Sequence, residues 1–158
     1  MAPPRRPRAV PPAPHGAERV SMGASYANTV TTARRDRVIE VLRGEGLRAW
    51  VAPEAEDCTV FSETLSDGGD RGAIERIGAR LSVRLRAPCL TVLDADGGLG
   101  LWLFAHGLLR AFAAMPARAL GGETPPAESP AAVAAALARA FGRREAEARL
   151  ARILAASS

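Results

Sequence analysis

Between residues 26 and 93 the apolar side chains switch repeatedly between a period of two and a period of three to four. The order is strand, helix, strand, strand, helix, strand, and few folds accommodate it. Residues 26–32 (YANTVTT) are rich in β-branched side chains and predict a first strand. Residues 34–45 set Val38, Ile39, Val41 and Leu42 on one helical face, with Gly44 and Gly46 ending the helix. Residues 47–52 form a short strand stopped by Pro53, and residues 57–63 form the next; the brief connection 53–56 predicts a hairpin. Asp70 is placed to cap a second helix, whose apolar stripe is Ile74, Ile77, Leu81 and Leu85 and whose end is Ala87-Pro88. A buried strand over 89–93 and a turn over 94–98 complete the series.

Beyond it, strands over 99–105 and 108–113 flank a His106-Gly107 turn. Ser129-Pro130 opens a helix with Val133, Leu137 and Phe141 on its apolar face, and Gly142 interrupts it. The last helix, 143–156, is expected to turn Leu150, Ile153 and Leu154 inward. Its exposed side offers the pairs Arg143–Glu147 and Glu145–Arg149. The whole predicts an α+β chain, a ferredoxin-like βαββαβ sandwich extended by a β-hairpin and two C-terminal helices.

Organisation follows from composition. Residues 1–21 hold Pro3, Pro4, Pro7, Pro11, Pro12 and Pro14, with Val10 and Val20 as the only large apolar residues after Met1. The reading is a disordered leader over 1–21, with Met22 as the expected true translation start. An α+β domain over 22–118, a Gly/Pro linker over 119–128 and a helical pair over 129–158 follow. The leader's arginines have no apolar run behind them, and its prolines oppose an amphipathic helix, so a targeting role is not expected.

Charge argues against polyanion binding. The formal net charge of +4 sits mostly in the leader, where Arg5, Arg6, Arg8 and Arg19 face only Glu18. The remainder is nearly neutral and gives little electrostatic pull on nucleic acid. Lys is absent, so all 21 basic residues are Arg, a bias that reads as codon pressure more than as a basic patch. Cys58 and Cys89 read as buried thiols of a reducing cytosol. With only His15 and His106 and no paired Cys or His spacing, neither a metal nor a cofactor is expected. The apolar run 99–115 is short for a membrane span and is broken by His106-Gly107, so a buried hairpin is expected and no membrane contact. One of its faces should pack on the sheet's helices. The other needs the C-terminal helices, a protein partner or a homodimer contact.

Candidate sites are sparse. His106 is the only histidine after the leader and lies at a turn; no G-x-S-x-G is present, so no catalytic residue is assigned. Asp94 and Asp96 flank a Gly-rich turn with too few oxygens for calcium. The loop 67–72 resembles a phosphate cradle before a helix, but Asp67 and Asp70 would repel phosphate. Tyr26 and Phe61 fall on the first and third strands, where an RNA-recognition sheet would stack bases. Tyr26 and Asn28, two apart, share one face of the first strand and define a polar-aromatic contact site beside Trp102 or Trp50. His106 and Arg110 mark the hairpin as a further binding candidate.

The run Met22-Gly23-Ala24-Ser25-Tyr26-Ala27-Asn28-Thr29, with Leu42-Arg43, residues 48–53 (RAWVAP), residues 79–82 (ARLS) and Leu101-Trp102, resembles a bacterial family of small cytosolic proteins that begin MGASYAN. The resemblance spans roughly residues 22–113 and is most specific in its first motif. It implies a start at Met22 and a cytoplasmic home, and it carries no activity. Members of that family have a longer acidic and aromatic stretch after the last hairpin, where this chain has RAFAAMPAR over 110–118. The expected function is a non-catalytic protein-interaction or regulatory module, the alternative a single-stranded RNA-binding module using Tyr26 and Phe61.

Overall fold

A computed structural model describes residues 26–64, 66, 70–95, 98–115 and 128–156. The leader, the start at Met22, Asp96 and the linker 119–127 lie outside the described residues.

The chain is α+β, with a six-stranded antiparallel sheet and four helices. The strands are β1 (Tyr26–Thr31), β2 (Ala49–Val51), β3 (Thr59–Glu63), β4 (Cys89–Ala95), β5 (Gly98–Ala105) and β6 (Leu108–Met115). The helices are α1 (Arg35–Gly44), α2 (Arg71–Leu85), α3 (Pro130–Ala140) and α4 (Glu147–Ala156). The sheet order is β2-β3-β1-β4-β5-β6, so the first strand lies between β3 and β4.

Local chemistry sets the ends of these elements. The Asp70 carboxylate accepts from the Gly72 N–H and the Ser129 hydroxyl oxygen from the Ala132 N–H, each satisfying a donor that a helix start leaves open. Arg86 caps α2 in the left-handed region, one residue before Ala87-Pro88. The β2–β3 hairpin turns at Glu56-Asp57 and the β5–β6 hairpin at His106-Gly107, with positive φ at both residues of each turn, the backbone that matches strand twist. The Gly107 N–H donates to the buried Ser82 hydroxyl at 2.9 Å, pinning the second hairpin to α2. Glu45, at the C-terminal end of α1, accepts from Arg80 at 2.8 Å and Arg84 at 3.0 Å and fastens α1 to α2.

Strand alternation sorts the side chains into two cores. On one face Phe61, Cys89, Leu93, Trp102, Phe104 and Phe112 pack under Val38, Val41 and Leu42 of α1 and Ile74, Ile77, Leu81 and Leu85 of α2. On the other, Leu101, Leu103, Ala111 and Met115 pack under Val133, Ala134 and Leu137 of α3 and Leu154 of α4. The hairpin is apolar on both faces because helices cover both, the same reason that strands buried on two sides lose their alternation. Its second face is therefore taken by the C-terminal helices, and what remains exposed is its tip, Leu108, Leu109 and Arg110.

Four local expectations need correction. The fourth strand runs on to Ala95, pairing Asp94 with Leu99 and Ala95 with Gly98, because the β4–β5 ladder continues past Leu93. Ile153 is 52% exposed, since α4 reaches the core along the narrow stripe of Leu150, Ala151 and Leu154. The last helix also begins later, at Glu147, after a 3-10 turn over Arg144–Ala146. Finally, Arg143 donates to the Glu56 carbonyl oxygen at 3.2 Å in place of the helical pair with Glu147.

Candidate interaction surface

The two helical layers are unequal in width. On the face opposite α1 and α2, the pair α3–α4 lies over β4, β5 and β6 and leaves β2, β3 and β1 uncovered. Register lays out what this open half presents. Trp50 of β2 sits beside Ser62 of β3, Val60 beside Val30 of β1, Asn28 beside Val92 of β4, and Tyr26 beside Asp94. Arg48 precedes Trp50 by two residues, shares its direction, and is held in place by the Thr64 N–H donating to its carbonyl oxygen. Trp50 is 64% exposed and Tyr26 51% exposed, on a surface where neighbouring Val30 and Val60 are half-buried.

Polar groups on this face are arranged outward. The Tyr26 hydroxyl donates to the Asp94 carboxylate at 3.2 Å, and that hydrogen bond, with the carboxylate's charge, raises the tyrosine pKa above its ordinary value. The Ser62 hydroxyl donates to the Ala27 carbonyl oxygen at 2.8 Å. The Asn28 carboxamide and the Arg48 guanidinium make no hydrogen bond or ion pair among the described residues. Where the open face meets the helical pair there is an apolar groove of about 240 Å³, lined by Val30, Leu90, Leu137, Phe141 and Leu150 among others. Ile153 continues the Leu150 stripe one turn further along α4.

The structure divides the expected site residues. Tyr26 and Asn28 do share a face, and the tryptophan on that face is Trp50. Trp102 belongs to the opposite face: it is 1% exposed beneath α2, its ring centroid 5.3 Å from that of Phe112. Its indole N–H has no hydrogen-bond partner among the described residues. Phe61 is fully buried on the same side as Trp102, because Phe61 pairs with Thr29 while Tyr26 has the opposite parity. Tyr26 and Phe61 thus cannot stack bases on one surface. His106 is exposed at its turn, with φ of 53°. Arg110 is exposed as the extra residue of a β-bulge, where the β5–β6 register slips between Leu103 and Phe104. Neither lies near the open face.

Of the two tryptophans weighed in the sequence, Trp50 is the exposed one, and the signal was present: an aromatic out of step with Ala49 and Val51 in a strand that Pro53 cuts short, hence an edge strand.

The described residues contain no group of three His, Cys, Asp or Glu side chains placed to hold a metal ion, and no helix long and apolar enough to cross a membrane. Both cysteines are free thiols. Burial pushes the Cys89 thiol up to about 12, against a smaller opposing hydrogen bond with Thr31. Partial burial raises Cys58 as well; Arg143 pulls it down, and Asp57 and Glu56 push it up again. Only thiolate reacts with alkylating agents, so at pH 8 native protein should take one adduct, at Cys58, more slowly than a free thiol. The rate should climb with pH, and Cys89 should be labelled only after denaturant is added. Intact mass and peptide mapping check this, and two adducts on native protein would contradict it.

Comparison with known proteins finds no matching protein family, no matching curated protein and no matching solved structure.

Proposed function

We propose that the chain is a non-catalytic protein-interaction module whose interface is the open half of the sheet. The observation that carries this reading is Trp50, a large aromatic exposed at the edge of an apolar-centred face and bordered by Arg48 and Asn28, whose side chains have no partner among the described residues. Exposed tryptophan, tyrosine and arginine around an apolar centre is the composition of interface anchors. The fold supports it: β1 through β4 with α1 and α2 form a ferredoxin-like unit, in the order β2-β3-β1-β4 with every neighbour antiparallel. In this reading β5–β6 and α3–α4 are extensions that seal one half of its second face and leave the other half for a partner. Two free thiols support a reducing, cytoplasmic setting, and the MGASYAN resemblance points the same way.

A second reading, single-stranded RNA, draws on the same face, with Tyr26 and Trp50 as the stacking rings in place of the buried Phe61. Purification of the tagged chain from its own host separates the two. The expected result is a stoichiometric protein companion, identified by mass spectrometry, that is retained by wild type and lost with Trp50→Asp. RNA in the peak, or a companion that Trp50→Asp leaves in place, would overturn the protein-interface reading.

A further inference from the structure

β2 forms one edge of the sheet, and its backbone fixes what can add to it. The Arg48 carbonyl oxygen accepts from the Thr64 N–H, Trp50 pairs with Ser62, and the Ala52 N–H donates to the Val60 carbonyl oxygen. Residues 48, 50 and 52 therefore turn their peptide groups toward β3, while Ala49 and Val51 turn theirs outward. Those outward groups have no hydrogen-bond partner among the described residues. One free residue on each side of Trp50 makes the edge symmetric about it. A second β2, laid antiparallel about a two-fold axis perpendicular to the sheet, pairs Ala49 with Val51 of the other copy, twice over. Trp50 then stands opposite Trp50 of the other copy in a non-hydrogen-bonded pair, where side chains come closest. Both indoles lie on the open face, as an aromatic cross-strand pair.

α1 repeats this symmetry. It runs antiparallel to β2: the Arg35 guanidinium at its start donates to the Ala52 carbonyl oxygen at 3.2 Å, and past its end the Leu47 N–H donates to the Leu42 carbonyl oxygen at 2.9 Å. Its middle, at Ile39 and Glu40, is thus level with Trp50. Asp36 and Arg43 lie two turns apart on its outer flank, one on each side of that middle. Both are exposed and without a partner among the described residues, whereas Glu40 between them is held by Arg37 at 2.8 Å. The half-turn that pairs the strands brings Asp36 of each copy toward Arg43 of the other, with Ile39 near the axis. Ala49 is exposed although it points to the helix side, and a groove of about 280 Å³ lined by Arg35, Ile39, Leu47 and Val51 among others separates α1 from the edge. α1 is set back from β2, so two β2 strands about 4.8 Å apart leave room for the two α1 helices to lie side by side at about 8–10 Å. α3 and α4 cover β4, β5 and β6 on the opposite face, away from this edge. From this double symmetry we infer that β2 is a dimerisation edge, its occupant the β2 of a second copy, so that two sheets become one. The open halves of both copies then form a single surface with the tryptophan pair at its centre. β2 has only 3 residues, so the association is concentration-dependent.

The inference concerns the edge of β2 and goes beyond the reading of the open face; it is tested on the purified full chain alone. Sedimentation velocity from micromolar to hundreds of micromolar protein should show a monomer–dimer equilibrium. Ala49→Pro should weaken it on the order of tenfold or more. That change removes an outward N–H the monomer does not use, and sets a ring where the second strand must lie. Asp36→Arg and Arg43→Asp should each weaken the dimer several-fold, since each places like charges together at both ends of the axis. An equimolar mixture of these two variants should restore association, which excludes misfolding as the cause of the loss. The paired indoles should also give an exciton couplet in circular dichroism that grows with concentration and is absent from Trp50→Phe. A monomer at every concentration would overturn the inference, as would a dimer indifferent to Ala49→Pro or a charge-swapped mixture that stays apart. If the chain alone is monomeric while the companion from the host still depends on Trp50, the edge dimer is ruled out and the protein-interface reading stands.

Discussion

Gly78→Ala should destabilise the protein by about 2–3 kcal/mol, although a glycine in the middle of a helix ordinarily gains about 1 kcal/mol from the same change. The reversal comes from how closely α2 crosses β5. A Cβ built on Gly78 would fall 2.3 and 2.4 Å from two carbons of the Phe104 ring, which is itself 1% exposed and has nowhere to move. Relief requires α2 to rise off the sheet, which loosens Ile74, Ile77 and Leu81 together. Thermal denaturation should show Tm lower by roughly 10 °C. The double variant Gly78→Ala/Phe104→Leu should be more stable than the two single losses sum to, because the smaller side chain accepts the methyl group. Additive losses would mean that the contact is not the cause.

The second large effect is expected at Leu137, which is buried between α3 and the sheet. Leu137→Asp removes about 1.5–3 kcal/mol of apolar burial and leaves a carboxylate without a partner, a further cost of several kcal/mol. The cheapest response is for α3 and α4 to leave the sheet. Leu101, Leu103 and Met115 then face water, and binding of a hydrophobic dye should rise several-fold. Trp102 reports on the other core, so its near-ultraviolet circular dichroism should persist. Leu137→Asn, which adds no charge, should show the weaker form of the same phenotype. Loss of the Trp102 signal in step with dye binding would mean that the two faces unfold as one unit.

Local chemistry was legible in the chain. Ser129-Pro130, Asp70 and His106-Gly107 announce a cap, a cap and a turn, because each of these residue types solves one backbone problem within a few positions. The apolar run 99–115 was legible as a hairpin wanting cover on two sides. What could not be read was which side of the sheet a given residue faces relative to another strand. Alternation fixes Tyr26 against Asn28 within β1, but the relation of Tyr26 to Phe61 depends on cross-strand register, and one residue of register exchanges the faces. The same parity moved Trp102 inside and left Trp50 outside. Ile153 was misplaced for a different reason. Apolar spacing describes a stripe, and the width of stripe that is buried depends on how α4 leans on its neighbours.

The position of β1 at the middle of the sheet has a consequence for how the chain comes together. Tyr26 pairs with Asp94, and Thr31 pairs with both Thr59 and Cys89, so β1 leaves the ribosome well before the strands on which it depends. Until β4 has emerged, β1 can pair only with β3, so it keeps one edge open and has no completed core to cover it. The α1–β2–β3 segment can form its local contacts early, but the sheet closes only when β4 slots in on the far side. Such long-range closure is slow, and it exposes a β-branched segment while it waits. β1 is thus enclosed by a strand made much later than itself, and conditions that delay β4 should trap this chain as an aggregate through the open edge of β1.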